Sequence, residues 1–313
     1  MTARYRNPVY DGYFADPFVL RDGKRWIAYG TGSVVGGLVF EVLVSDDLVS
    51  WRATGGALQP IDPELGTTYW APEVVAAGGA WWMYYSVGVD DTGHHLRVAL
   101  ARSPLGPFID QGVDLTPQER FAIDPSPFRD TDGTWYLFFA RDVLDTDRVG
   151  TQLAVDVLTT MTKLHGETRS VLRPSGDWQI YQHDRSMYGA VHDWHTLEGP
   201  AVVRRNDRYH CFYSAGSWQG AGYAVGWAHA PHPLGPWTDA PKEQNRLLTT
   251  VPGRVLGPGH ASVASTPGGA DILVYHAWDT EKTSRRMFID PLLWTPDGPW
   301  TPGPTWGYAV LPD

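Results

Sequence analysis

The sequence has a single cysteine, Cys211, in 313 residues. That excludes an internal disulfide framework and any cysteine-rich metal site. It has no apolar run approaching the length of a bilayer-spanning helix. Positive charge is sparse. Lys and Arg number 25 against 35 Asp and Glu, the formal net charge is -10, and no basic cluster occurs. Nucleic acid and anionic membranes are therefore poor partners for this chain, and no protein partner is evident. The opening Met1-Thr2-Ala3-Arg4-Tyr5-Arg6-Asn7-Pro8 lacks the apolar core of a signal peptide, which reads as a cytoplasmic protein. A secreted chain already trimmed of a leader would read the same.

Aromatic and turn-forming residues are what the sequence does have. There are 15 Trp and 15 Tyr, with 34 Gly and 25 Pro. Gly and Pro in that number imply many turns and little long helix. Trp and Tyr at that density suit packing between sheets and also stacking on the apolar faces of sugar rings.

The chain also repeats itself. Five turn dipeptides each precede a short aromatic-rich, β-prone run: Asp22-Gly23, Gly78-Gly79, Asp132-Gly133, Asn206-Asp207 and Gly268-Gly269. Such dipeptides are hairpin signals, because type I′ turns need positive φ at both central residues. A leucine follows each turn at a similar distance: Leu48, Leu105, Leu158, Leu234 and Leu292. Around these lie Ser103-Pro104-Leu105-Gly106-Pro107-Phe108 and His232-Pro233-Leu234-Gly235-Pro236-Trp237, read as turns between third and fourth strands. Five units that cannot bury their sheet faces alone imply a radial array. The expected fold is all-β: a single five-bladed β-propeller over residues 1–313, with four-stranded antiparallel blades around a central channel. The longest repeat holds an insert at 142–196, rich in Asp and His, with His183, Asp184, His192, Asp193 and His195 as candidates to line a site.

In a propeller the innermost strand of each blade lines the channel. Here it should be the strand just before each turn dipeptide. The starts of those strands carry Asp16, Trp70 with Glu73, Asp124, Glu198 and His260. Three carboxylates from three blades would then share one mouth. One Asp-Pro alone is a common turn starter, but three at comparable places in a repeat bring like charges together at a free-energy cost. A fold accepts that where a site uses it to set protonation states.

These residues resemble glycoside hydrolase family 43, the five-bladed furanosidases and xylosidases. The resemblance runs from Tyr13-Phe14-Ala15-Asp16-Pro17 through Trp70-Ala71-Pro72-Glu73, Ile123-Asp124-Pro125, Leu197-Glu198-Gly199-Pro200 and Gly257-Pro258-Gly259-His260 to Arg285-Arg286-Met287-Phe288-Ile289-Asp290. The Asn-Asp-Pro-Asn, Arg-Asp-Pro and Glu-Cys motifs of the related invertases are absent. The resemblance implies Asp16 as general base, Glu198 as general acid, and Asp124 as the residue that orients Glu198 and modulates its pKa. It implies inversion in one displacement, with base and acid about 6.5–9.5 Å apart. It implies substrate contacts from Trp70, Glu73, Trp218, Arg285 (with Arg286 as its rival) and His260. Packing is the alternative for Trp70 and Trp218, and a surface ion pair for the arginine. No cofactor is required. His260 would hold a calcium ion in the channel directly or through water, or else simply hydrogen-bond channel water.

The implied substrate is a small oligosaccharide with a terminal pentose. The favoured activity is an exo-acting α-L-arabinofuranosidase on arabino-oligosaccharides, with β-D-xylosidase and endo-arabinanase as alternatives. A non-catalytic sugar-binding propeller is the competing class.

Overall fold

A computed structural model describes residues 4–32, 34–241 and 244–312. The strands run in chain order as β1 (Arg4–Arg6), β2 (Ala15–Asp22), β3 (Arg25–Thr31), β4 (Val39–Ser45), β5 (Arg52–Leu58), β6 (Thr68–Ala77), β7 (Ala80–Val89), β8 (Thr92–Ala101) and β9 (Ile109–Asp114). They continue as β10 (Ala122–Arg129), β11 (Trp135–Val143), β12 (Gly150–Thr160), β13 (Lys163–Leu164), β14 (Arg169–Leu172), β15 (Ile180–Met187), β16 (Ala190–Arg205), β17 (Arg208–Ala215) and β18 (Ala224–Ala230). The last are β19 (Thr238–Asp239), β20 (Arg246–Leu248), β21 (Leu256–Ser265), β22 (Asp271–Trp278), β23 (Arg285–Thr295), β24 (Gly298–Trp300) and β25 (Tyr308–Val310). The only helical elements among the described residues are two short 3₁₀ turns, Pro63–Leu65 and Asp177–Gln179.

Three sheets are separate, four-stranded and antiparallel: β2-β3-β4-β5, β6-β7-β8-β9 and β21-β22-β23-β24. The two groups between them, built on β10-β11-β12 and β16-β17-β18, are joined into one eleven-stranded sheet. The join is a short parallel pairing of Gly150 with His195 and Thr151 with Thr196. It forms because the 142–196 insert folds into the β15–β16 hairpin, which extends β16 backwards until it reaches β12. β1 pairs with β25, tying the two ends of the described chain together.

Each of the five sequence turns joins two adjacent antiparallel strands. Between β16 and β17, Asn206 and Asp207 both take positive φ (51° and 58°), as a type I′ turn demands. The leucine marker holds less well. Leu48, Leu105 and Leu234 lie in loops before a fourth strand, but Leu158 lies within β12 and Leu292 within β23. In those two units the third strand runs on past the marker, to Thr160 and Thr295.

The aromatic runs occupy the second strands, and the core shows why. Successive side chains of a strand face opposite sides of the sheet. Tyr84 enters one buried cluster with Leu137 and Phe139, while its neighbour Tyr85 enters another with Tyr29 and Phe40. Phe138 packs with Tyr213 on one side, and Phe212 packs with Tyr275 on the other. Val274 closes the series against Val19 and Trp26. Both faces are buried, so these strands read as continuous apolar runs instead of alternating ones. The first strands of the groups, β2, β6, β10, β16 and β21, touch one another in a closed cycle.

Candidate active site

The five first strands share a local distortion at the point where they meet. Pairing with the second strand breaks between Ala15 and Phe18, Trp70 and Glu73, Ile123 and Ser126, Glu198 and Ala201, and Gly259 and Ser262. In each break one residue takes positive φ: Asp16 (49°), Ala71 (46°), Asp124 (58°), Gly199 (57°) and His260 (52°). Bulges re-aim side chains, and a non-glycine residue held there carries strain of about 1–3 kcal/mol. The alignment corrects the expectation that the three acids are equivalent. Asp16 and Asp124 sit on the bulge. Glu198 sits one residue ahead of it, at the position that Trp70 takes in the second sheet.

The bulge amides are held by neighbouring units. Ala71 N–H donates to Thr31 Oγ1 (2.7 Å), His260 N–H to Ser214 Oγ (2.6 Å) and Asp16 N–H to His276 Nδ1 (3.1 Å). Thr31, Ser214 and His276 occupy the same place in register, each opposite the residue that precedes its strand's bulge (Ala15, Glu198 and Gly259). The third unit has Ala140 there, and Gly199 N–H donates instead to Asp124 Oδ2 (2.8 Å). Asp124 therefore grips the backbone beside Glu198.

Asp16, Trp70, Asp124, Glu198, Trp218, His260 and Arg285 line one cavity of about 730 Å3. That is the scale of a small-molecule site. Glu73 does not line it. Burial pushes Glu73 up to about 8, with a Ser126 hydrogen bond opposing, so a neutral acid sits off the cavity, near Asp124.

Electrostatics separate the acids. Burial would raise Asp16, but the charges of His260 and Arg285 outweigh it and hold the carboxyl well below its ordinary range. Arg285 Nη1 lies 3.3 Å from Asp16 Oδ1, His260 Nδ1 3.4 Å and His276 Nδ1 3.2 Å. Burial pushes both imidazoles down, His276 to about 4, so the lasting cation beside Asp16 is Arg285. Burial pushes Glu198 up to about 7, with the Asp16 charge adding to the rise while a Tyr223 hydrogen bond and Arg285 oppose it. Burial and the charges of Glu198 and Asp16 push Asp124 well up.

Arg285 is itself fixed in place. Its Nη2 donates to Tyr13 Oη (2.7 Å), and its guanidinium lies 4.5 Å from the Trp218 ring centroid and 6.0 Å from that of Trp278, which stacks on Trp218 at 5.9 Å. Arg286 faces Asp11 and Asp279 instead, at 3.5 Å from each. Trp70 stacks on buried His94 (3.7 Å between ring centroids, 15° between planes), leaving its ring as a cavity wall.

The insert contributes different residues from those expected. Tyr181, Arg185, Met187, Trp194 and Thr196 line a smaller cavity of about 70 Å3 beside Glu198, Trp70 and Trp218. Arg185 lies over Tyr181 and Trp194 there, at 5.0 and 5.3 Å. His183, His192, Asp193 and His195 line a separate depression with Asp147, Arg148 and Asp177, and Asp184 lines neither cavity. The cause is strand alternation in the β15–β16 hairpin, where Trp194 and its neighbour His195 face opposite sides. His276, Thr31 and Tyr223 were also missed. His276 was legible as the residue directly after an aromatic run, Thr31 is one residue further on, past Gly30, and Tyr223 lies before β18 where no repeat marks it.

The described residues form no cage of direct calcium ligands. Calcium takes six to eight oxygen ligands, and His260 offers a nitrogen. Among the described residues no three His, Cys, Asp or Glu side chains are arranged to hold a metal.

An aromatic-walled cavity whose carboxyls are driven to opposite protonation states defines, as a class, a site suited to acid–base cleavage of glycosidic bonds. The chain belongs to glycosyl hydrolase family 43, whose model matches residues 5–300. It is 28% identical to a β-D-galactofuranosidase of Aspergillus niger, over 93% of this chain and 83% of that one. It is 26% identical to an extracellular endo-α-(1->5)-L-arabinanase of Bacillus subtilis, over 91% and 86%. An extracellular exo-α-(1->5)-L-arabinofuranosidase of Streptomyces avermitilis is 25% identical over 75% of this chain, a match spanning 49% of that enzyme. A thermostable family-43 glycoside hydrolase superposes with a TM-score of 0.86 at 30% identity, covering 97% of both chains.

Proposed function

We propose that residues 1–313 form one five-bladed β-propeller whose channel mouth is the active site of an inverting, exo-acting α-L-arabinofuranosidase. Supporting the five blades are the five interleaved core clusters and the closed cycle of first strands. The observation that carries the reaction is the split between Asp16, held ionised by Arg285, and Glu198, pushed up to about 7, on one cavity. In the proposed step Asp16 takes a proton from water as the water oxygen bonds to the anomeric carbon. Glu198 gives its proton to the departing glycosidic oxygen as that bond breaks. Asp124 fixes Glu198 through the Gly199 amide. Trp70 and Arg285 wall and anchor the terminal sugar.

The test is a panel of 4-nitrophenyl α-L-arabinofuranoside, β-D-xyloside, β-D-galactofuranoside and β-D-galactoside beside linear arabinan and xylan oligomers, with the released anomer followed by NMR. The arabinofuranoside and short arabino-oligosaccharides should turn over fastest, with inversion. Turnover should fall as pH rises through about 7, where Glu198 loses its proton. A retained anomer refutes the base assignment. Faster xyloside, galactofuranoside or endo-arabinan cleavage moves the substrate reading accordingly, and binding without hydrolysis makes the protein a sugar-binding module. The relatives named as extracellular favour the secreted over the cytoplasmic localisation reading.

We also propose that no metal is required. Exhaustive treatment with EDTA should leave turnover and Tm unchanged, and a loss restored by calcium would overturn this.

A further inference from the structure

Tyr223 is buried, and its Oη donates a 2.6 Å hydrogen bond to Glu198 Oε1. Two cross-strand partners hold the ring. It stacks on His276 at 5.8 Å between centroids and 11° between planes. It also lies against Gly259, where an added Cβ would lie 1.8 Å from Tyr223 Cε1. The Gly259 of Gly-Pro-Gly-His therefore has a steric reason: it leaves room for this ring. His276 in turn lies 3.2 Å from Asp16 Oδ1. Gly259, Tyr223 and His276 thus form one packed group that touches both the acid and the base.

We propose that Tyr223 is a positioning residue that fixes the Glu198 carboxyl, so that its second oxygen presents the proton to the leaving group. The proposal rests on the reading of Glu198 as general acid and goes beyond it by naming what holds that acid in place. Asp124 grips the backbone next to Glu198, whereas Tyr223 grips the carboxyl itself. The Tyr223 hydroxyl keeps its own proton, because burial and the adjoining charges of Glu198, Asp16 and Asp124 push it well up. It is a standing donor that takes no part in the proton transfer.

Y223F keeps the ring, its stack on His276 and its fit over Gly259, and removes only the donor. It should fold as the wild type does, checked by Tm. With Glu side chains carrying 13C carboxyls, NMR titration should show the Glu198 midpoint moving up by about one unit, because a hydrogen bond favouring the ionised form is gone. This readout needs no substrate, so it stands even if the sugar assignment fails. In turnover, kcat on substrates with a sugar leaving group should fall about tenfold or more, with KM little changed. Substrates with a 2,4-dinitrophenyl leaving group, which departs without a proton, should be split at near wild-type rates. G259A, which pushes the ring aside, should show the same selective loss. An unmoved Glu198 midpoint, or an equal loss on both kinds of leaving group, would overturn the proposal. A moved midpoint in an enzyme that splits none of these substrates would uphold the contact and refute the reading of Glu198.

Discussion

E198A is expected to lose about 10²–10⁴-fold in kcat on arabino-oligosaccharides, the contribution typical of a positioned general acid. The loss should shrink as the leaving group improves and nearly vanish for 2,4-dinitrophenyl glycosides. The physical reason is that an alkoxide leaves only if protonated, whereas a dinitrophenolate is already stable as an anion. The basic limb of the pH profile should disappear as well, because the group whose loss of a proton defines that limb is gone. Steady-state kinetics across a leaving-group series settle the matter. A uniform loss, or a surviving basic limb, would remove Glu198 from the role of acid and leave it as a binding carboxylate.

D16A is expected to fail in a different pattern. Its loss should be at least as large, about 10⁴-fold, and equal for good and poor leaving groups, because water activation is needed whichever oxygen departs. Asp16 also neutralises half-buried Arg285 at 3.3 Å, and a charge left unpaired away from water destabilises. D16N therefore needs to run beside D16A with Tm recorded for both, so that loss of fold and loss of base are told apart. Single-turnover kinetics with the dinitrophenyl glycoside give the reading. Near-normal turnover of either variant on that substrate would sink the base assignment, since Asp16 alone of the three acids is held ionised while Asp124 and Glu198 are pushed up.

The sequence made a good part of this legible. Five turn dipeptides followed by aromatic runs located all five first–second strand hairpins, because turn chemistry and paired aromatic residues are local signals. The three carboxylates were legible because each lies ahead of a repeat's turn dipeptide; Asp16 and Asp124 do sit at the starts of β2 and β10, whereas Glu198 lies inside β16, which the insert extends backwards. The structure then shows all three lining one cavity. Less was legible where chain neighbours and space neighbours part company. Glu73 follows Trp70 in a single motif, yet the bulge turns it away from the cavity. The Asp- and His-rich stretch of the insert attracted attention by composition, but the hairpin points Tyr181, Arg185 and Trp194 toward Glu198 and turns His195 away.

What the sequence determined by itself is the five strand–turn–strand hairpins, their β character, and the acids that lie ahead of three of the turns. These follow from repeats, hairpin turns and residue type, which act over a few residues. Only the tertiary structure decided which acid is kept ionised and which is kept protonated. That depends on Arg285, 269 residues from Asp16 along the chain yet 3.3 Å away, on Tyr223 against Glu198, and on burial that no stretch of sequence carries alone. Charge and solvation act through space, and space is set when the first strands close into their cycle.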